Sequence, residues 1–264
     1  MKYAFSACTD QGRVRSNNED AVSIDHQAQV VVLADGMGGY NAGEVASHMA
    51  TELIRTQMAR WLAQAAQPLQ SQQVRQALES CVEHANLAIF QAAQNHAQYS
   101  GMGTTVVASV LWDNQLMLAH VGDSRCYRLR AGQLLQITRD HSWLQEQIDA
   151  GLITPEQAAQ SGQRNLVTRA LGVEEDVLVE SNGFTVEAHD LFLLCSDGLS
   201  EMVHDTNLSS ILNTEATLEE KTQQLVDAAN AHGGRDNISV VLIYADGPLP
   251  TRKRSLVSRL LGSA

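Results

Sequence analysis

The residues Thr104 to Trp112, TTVVASVLW, and Gln115 to Val121, QLMLAHV, form two β-rich runs with only Asp113-Asn114 between them. β-branched residues fill the first run, and Asp-Asn is a turn signal. So short a connection joins antiparallel neighbours, because a parallel crossover needs a dozen residues or more. A second pair obeys the same rule: Cys126 to Arg130 and Gln133 to Ile137 flank Ala131-Gly132. Val30 to Ala34 and Leu191 to Cys195 are short, continuously apolar runs that read as buried strands, and Ile238 to Tyr244 reads as a last strand.

Outward from these hairpins the period changes. From Asn41 to about Gln67, Val45, Met49, Leu53 and Met58 recur at helical spacings. From Val74 to about Gln98, Leu78, Cys81, Val82, Ala85 and Ile89 share one side. Both stretches are rich in Ala, Gln and Glu, which favour helix. Leu218 to His232 reads as a further helix. Helices inserted among antiparallel hairpins predict an α+β sandwich rather than a doubly wound parallel sheet.

Two regions stand outside that pattern. Trp143 to about Leu171 holds short helical pieces (Leu144 to Ala150, Pro155 to Gln160) and the polar stretch Ser161-Gly162-Gln163-Arg164. It reads as a flap leaving the sandwich. After Gly247 the composition shifts to Pro248, Pro250 and Arg252-Lys253-Arg254, so residues 1–247 read as one domain and 248–264 as a basic tail. Leu256, Val257, Leu260 and Leu261 give the tail one amphipathic option, contact with a membrane surface or a partner. A frayed chain end is the plainer reading.

The 264 residues carry 30 acidic against 18 basic side chains, a formal charge of -12. Such a surface repels nucleic-acid phosphates. One large core suits this length better than two small ones. Cys8, Cys81, Cys126 and Cys195 include no C-x-x-C pair, which argues against a zinc or redox motif. Apolar flanks such as Leu194 suggest reduced, buried thiols. There is no signal-peptide core and no apolar run of the roughly 20 residues that span a bilayer. A cytoplasmic protein without stable membrane insertion is the expectation. No heptad repeat suggests assembly, so a monomer is expected.

Five acidic motifs lie beside glycine or at predicted strand ends: Asn18-Glu19-Asp20, Asp35-Gly36-Met37-Gly38-Gly39, Gly122-Asp123-Ser124-Arg125, Ser196-Asp197-Gly198 and Gly234-Arg235-Asp236-Asn237. Any single Asp-Gly is a turn. Convergent carboxylates raise one another's pKa, and a divalent cation removes that cost. Oxygen ligands select hard ions, Mg²⁺ or Mn²⁺.

In order and wording the chain resembles the PPM/PP2C family of metal-dependent serine/threonine phosphatases, in its stand-alone bacterial form. The resemblance covers about residues 3 to 245. It rests on Arg13-Val14-Arg15-Ser16-Asn17-Asn18-Glu19-Asp20, Asp35-Gly36-Met37-Gly38-Gly39, Gly101-Met102-Gly103-Thr104-Thr105, His120-Val121-Gly122-Asp123-Ser124-Arg125, Thr138-Arg139-Asp140-His141-Ser142, Asn165-Leu166-Val167-Thr168-Arg169-Ala170-Leu171-Gly172, Ser196-Asp197-Gly198 and Asp236-Asn237.

The resemblance implies a four-layer αββα sandwich, two antiparallel sheets flanked by helices. It implies that Asp35 bridges two metals, that Asp197 and Asp236 complete the first site, and that the Gly36 carbonyl binds the second, with Glu19 reaching its waters. Asp123 with Asp197 matches a third, weaker ion of bacterial members. Two cations about 3.5–4 Å apart can share a water, lower its pKa and aim it at phosphorus. Asp20 is suited to orient that metal-bridging water or accept its proton. Arg15 can grip phosphate oxygens through its planar fork; Arg13 reads as a surface ion pair. The implied substrates are phosphoserine and phosphothreonine on proteins, in opposition to a bacterial Ser/Thr kinase.

Many eukaryotic members carry His where this chain has Met37, which cannot donate a proton. A metal-bound water is then the expected acid, with His141 or His120 as alternatives if they lie close. Ser124, Thr104, Thr105 and Thr138 lack any context that would activate a nucleophile; they read as hydrogen-bonding supports. A non-catalytic relative would lose ligands, whereas Asp35, Asp197 and Asp236 are all present. A phosphohydrolase acting on small molecules is the other alternative, favoured by a deep closed pocket.

Overall fold

The computed structural model describes residues 1–38, 42–159, 161 and 166–247. The 248–264 tail lies outside the described residues, as do Gln160 and residues 162–165 of the flap region.

Eleven strands are present among the described residues: β1 (Lys2–Asp10), β2 (Asp20–Asp25), β3 (Val30–Met37), β4 (Gly103–Thr104), β5 (Val106–Trp112), β6 (Gln115–Val121), β7 (Arg125–Arg130), β8 (Gln133–Gln136), β9 (Glu180–Thr185), β10 (Leu191–Cys195) and β11 (Ile238–Asp246). They form two antiparallel sheets. One runs β1-β11-β10-β7-β8; the other runs β2-β3-β5-β6-β9, with β4 paired to β3. The Asp113-Asn114 hairpin pairs Trp112 with Gln115 and Val106 with Val121, and Asp113 takes a positive φ of 50° at the tip.

The inner faces of the sheets meet in an apolar layer that includes Leu33, Val107, Leu118, Phe192, Leu194 and Val241. The long helices α1 (Ala42–Gln64) and α2 (Ser71–Asn95) cover the second sheet, and Ile54, Met58, Leu78 and Ile89 are fully buried there. The first sheet is covered by α5 (Asp197–Ser200), α6 (Asp205–Leu212) and α7 (Leu218–Ala231), through Leu199, Leu208 and Leu225. Helix, sheet, sheet, helix is therefore the layer order, an α+β sandwich. A capping box starts α7: Thr217 accepts from the Glu220 N–H, and the Glu220 side chain accepts from the Thr217 N–H.

Two short helices, α3 (Trp143–Asp149) and α4 (Pro155–Ala159), stand off the sheets between β8 and β9. Ser142 caps α3, and a bridge between Ser142 and Val167 draws together the two chain segments that lead into and out of this excursion.

Sequence and structure differ at element ends. β3 runs through Asp35, Gly36 and Met37 instead of stopping at Ala34, because β2 and β4 hydrogen-bond both of its flanks there. β1, β2, β9 and α6 carry weaker sequence signals. Only Ser6 of β1 is buried, so no apolar alternation marks that strand.

The site is placed by register. Asp20 opens β2 directly opposite Asp35 in β3. β6 ends at Val121, β10 ends at Cys195, and β11 begins at Ile238 opposite Asp10. These ends share one edge of the sandwich, so the acids that follow or precede them converge.

Candidate metal centre

One cavity of about 210 Å³ is lined by Arg15, Glu19, Asp35, Gly36, Met37, Asp123, Asp197 and Asp236, together with Gly38, Thr105, Val167 and Asn237. Five acids from five separate segments thus face one small space. Asp20 does not line it. Only 6% of Asp20 is exposed, and it pairs with Asp35 across β2 and β3.

Hydrogen bonds hold the acids in place through their backbones. The Asp35 N–H donates to Thr105 Oγ1 at 3.1 Å, and Thr104 Oγ1 donates to the Asp35 carbonyl at 2.8 Å. Thr105 shares a 2.7 Å bond with Ser124. Ser196 Oγ donates to Asp20 Oδ2 at 2.8 Å. Asn237 stitches the rim together. Its Oδ1 accepts from the Glu19 N–H at 2.8 Å, and its Nδ2 donates to the carbonyls of Gln11 (2.9 Å) and Asn17 (2.8 Å). No local pattern gives Ser196 or Asn237 these tasks. The only signal is their place beside Asp197 and Asp236.

Gly36 is dictated by close approach. A Cβ there would lie 2.1 Å from the Gly43 carbonyl oxygen and 2.6 Å from that of Glu19. Only glycine lets β3, the start of α1 and the Glu19 segment meet at this point.

The charges of this cluster oppose one another. Burial pushes the Asp35 carboxyl well above the usual range, and Asp20, Asp197, Asp123 and Asp236 push it further. Burial raises Asp20 to about 7 against the bonds from Ser196 and Ser239 that lower it. Asp123 rises to about 8, by burial first and then by Asp197 and Asp140. Burial and Asp236 raise Asp197. Asp20 Oδ1 and Asp197 Oδ1 are buried with no hydrogen-bond partner in the protein. Buried, unpaired carboxylate oxygens in a like-charged group are costly unless a cation joins them. An all-oxygen donor set of this kind fits hard divalent ions.

Among the described residues, Arg15 is the positive group that hydrogen-bonds to the acids lining the cavity. Arg15 Nη2 donates to Asp236 Oδ2 at 2.6 Å at the cavity mouth. Arg125, behind Asp123, is fully engaged: it donates three times to Asp140 and once to Tyr127.

His120 and His141 do not line the cavity. Their rings stack at 4.8 Å, and with Glu180 they form a separate cluster of possible ligand atoms. The Gly122 N–H donates to His141 Nδ1 at 3.2 Å. That fixes the proton of neutral His141 on Nε2, which faces Glu180 at 3.4 Å and has no lone pair for an ion. His120 Nε2 meets the Arg139 carbonyl at 2.8 Å. Burial, with His120 next, lowers His141 to about 4. The pair is a hydrogen-bonded support at the base of the α3–α4 excursion and does not line the acidic cavity.

The profile of the family described as protein phosphatase 2C matches residues 10–242 of this chain. The serine/threonine phosphatase stp of Listeria monocytogenes is 39% identical over 242 residues, 90% of this chain and 94% of that protein. The crystal structure of the Mycobacterium tuberculosis serine/threonine phosphatase PstP/Ppp superposes with a TM-score of 0.86 at 36% identity, over 94% of this chain and 100% of that one. The catalytic domain of PstP in complex with two manganese ions superposes with a TM-score of 0.78 at 36% identity, over 92% of this chain and 99% of that one. With a matched profile across most of its length and a cluster of acids where its strand ends meet, the chain belongs to the protein phosphatase 2C family.

Proposed function

We propose that this protein removes phosphate from phosphoserine and phosphothreonine in other proteins, with two divalent cations held by Asp35, the Gly36 carbonyl, Asp197 and Asp236, and Glu19 reaching the second ion through its waters. The carrying observation is one cavity faced by five acids, of which Asp197 keeps a buried carboxylate oxygen unpaired, as does Asp20 beside them. The manganese-bound PstP relative supports a two-ion centre. The oxygen donors suit Mn²⁺ and Mg²⁺ alike. Asp123 with Asp197 is our assignment for a third, weaker ion.

When bound, the ions supply Lewis-acid stabilisation of the phosphoryl oxygens and lower the pKa of water. The chain's own residues do the positioning. Arg15 presents a planar fork at the mouth, suited to two phosphate oxygens at once. Thr104 and Thr105 fix the Asp35 backbone, and Asn237 fixes the Glu19 segment. Asp20, opposite Asp35 across the strands, keeps Oδ1 free to orient the water or accept its proton. Met37 lines the cavity and donates nothing.

The size of the cavity favours a protein substrate. About 210 Å³ admits a phosphate and the first atoms of its side chain. Pockets that enclose small molecules are usually about 300–1,000 Å³. The remainder of the substrate then lies on the outer surface. We assign the 143–171 excursion to the flap of the 1–247 catalytic domain, and a Ser/Thr kinase with its targets as the opposing partner. Four unbonded cysteines suit a reducing, cytoplasmic setting. No helix among the described residues is long and apolar enough to cross a membrane. Nothing in the sandwich calls for a second copy, so we take the monomer as the working unit.

The test is substrate choice. With Mn²⁺ present, a phosphothreonine peptide should be turned over at least about tenfold more efficiently than its phosphotyrosine match, since the aromatic ring holds the phosphate farther from the backbone. Equal or reversed kcat/KM would overturn the assigned substrate class.

A further inference from the structure

The rim of the cavity carries a feature that one phosphate does not use. In a chain of net charge -12, two further arginines flank residues that line the cavity: Arg13 lies two residues before Arg15, and Arg235 directly precedes Asp236. Arg15 meets Asp236. Arg13 and Arg235 are exposed, and neither forms a salt bridge among the described residues.

Their two segments are bound to each other. The Arg13 N–H donates to the Gly234 carbonyl at 2.7 Å, and Asn237 holds Gln11 and Asn17 on either side. Gly234 makes the approach possible. It takes φ +48°, and a Cβ there would lie 2.8 Å from Arg13 Cγ. The stem of Arg13 is thus seated against a bare backbone beside Arg235. Asp10 attracts Arg13 but is satisfied by Asn230 and the Gly12 N–H, bonds that lower its pKa.

We propose that Arg13 and Arg235 form a second anion subsite, which favours substrates with another negative group, a phosphate or a carboxylate, within a few residues of the phosphate removed. This rests on the phosphatase reading above. Arginine forks bind phosphate and carboxylate in two-point contacts, and clustered arginines are a recurring means of reading acidic motifs. An extended peptide advances about 3.3 Å per residue. An anion one to three residues from the reacting phosphate therefore reaches a rim attached to the neighbours of Arg15 and Asp236. Held in place beforehand, the rim costs little ordering on binding.

The experiment uses the full chain with Mn²⁺ and matched phosphothreonine peptides. Each carries alanine, glutamate or phosphoserine at one flanking position, scanned on both sides. The readout is the ratio of kcat/KM between each acidic peptide and its alanine match, at low and high salt. The ratio should reach about tenfold at the best position, be larger for phosphoserine than for glutamate, and shrink with salt. In R13Q/R235Q it should fall towards one, and R13K/R235K should retain part of it. A ratio of one or less at every position, or the same ratio in R13Q/R235Q, overturns the subsite. If no peptide is turned over, Kd values from fluorescence anisotropy decide instead. Tighter binding of the acidic peptides, lost in R13Q/R235Q, keeps the subsite while the phosphatase reading fails. Equal Kd values end both.

Discussion

Replacing Asp35 with Asn is expected to abolish phosphate release while leaving the metal-free protein at least as stable as the parent. Both halves follow from the same geometry. Asp35 stands among Asp20, Asp123, Asp197 and Asp236, which all push its carboxyl in the same direction as burial does. Asn keeps the shape and removes the charge, so repulsion in the metal-free state is relieved. The same charge is what a cation would meet. At about 4 Å and an effective dielectric near 20, one charge pair is worth about 4 kcal/mol, roughly a thousandfold in affinity. We expect calorimetric titration of Mn²⁺ to show at least that loss, turnover to fall by about 10³ or more, and urea unfolding without metal to shift upward or stay level. A purely structural Asp would give the opposite stability result, because its partner groups would be left unpaired. Marked destabilisation of metal-free Asp35→Asn, with metal affinity retained, would remove Asp35 from the centre of this account.

The second large effect is a pH dependence whose sign is unusual for carboxylates. Asp20 is raised to about 7 and Asp123 to about 8, with Asp35 raised as well, against about 3.9 in an unfolded chain. Between pH 4 and 8 the folded, metal-free protein therefore holds protons that the unfolded chain has released. Stability from these groups is fully present below the unfolded value and is lost as pH rises through 7 and 8. His141 acts in a different window. Its pKa of about 4 costs stability only as pH falls below about 6.5. From pH 6.5 to 9 the carboxylates decide, and metal-free protein should lose on the order of 3 kcal/mol, about 6–12 °C in Tm. Saturating Mn²⁺ should raise Tm and flatten or reverse the slope, since the cations take the ionised ligands. Scanning calorimetry at pH 6.5 and 9, with and without Mn²⁺, reads both. A metal-free Tm that does not change across this range would mean that the cluster does not hold its charge as described.

Much of this was legible in the chain itself, for identifiable reasons. The Asp113-Asn114 hairpin was legible because a two-residue turn between β-rich runs leaves one pairing. β10 showed as five consecutive apolar residues that end at Cys195, just before Ser196-Asp197. Helices α1 and α2 showed through their period. β9, Glu180–Thr185, was not legible: its ESNGFT carries no apolar alternation, and it adds to the sheet edge by pairing with β6. β1 was hidden because nearly all of its residues remain partly exposed while pairing with β11.

Within the site, the acids were legible from their flanking glycines and order, and their mutual repulsion was foreseeable. Two facts needed the fold. Arg15 meets Asp236 across 221 residues of sequence, and Ser196 meets Asp20 across 176. The pairing of buried Asp20 with Asp35 is likewise a matter of cross-strand register, which no local pattern records. The same holds for the histidines. The motif reads His141 as a structural His or, if close, a candidate acid, and only the Gly122 N–H on Nδ1 reveals which nitrogen carries its proton.

The central claim is that hard divalent cations at these acids turn the chain into a phosphoprotein phosphatase. Phosphate released from a phosphothreonine peptide measures it directly, with metal-stripped protein, with added Mn²⁺, and with excess EDTA after Mn²⁺. The account predicts no release above background from stripped protein, rapid release on adding Mn²⁺, and its loss on chelation. Release that persists in EDTA at the Mn²⁺ rate would contradict it.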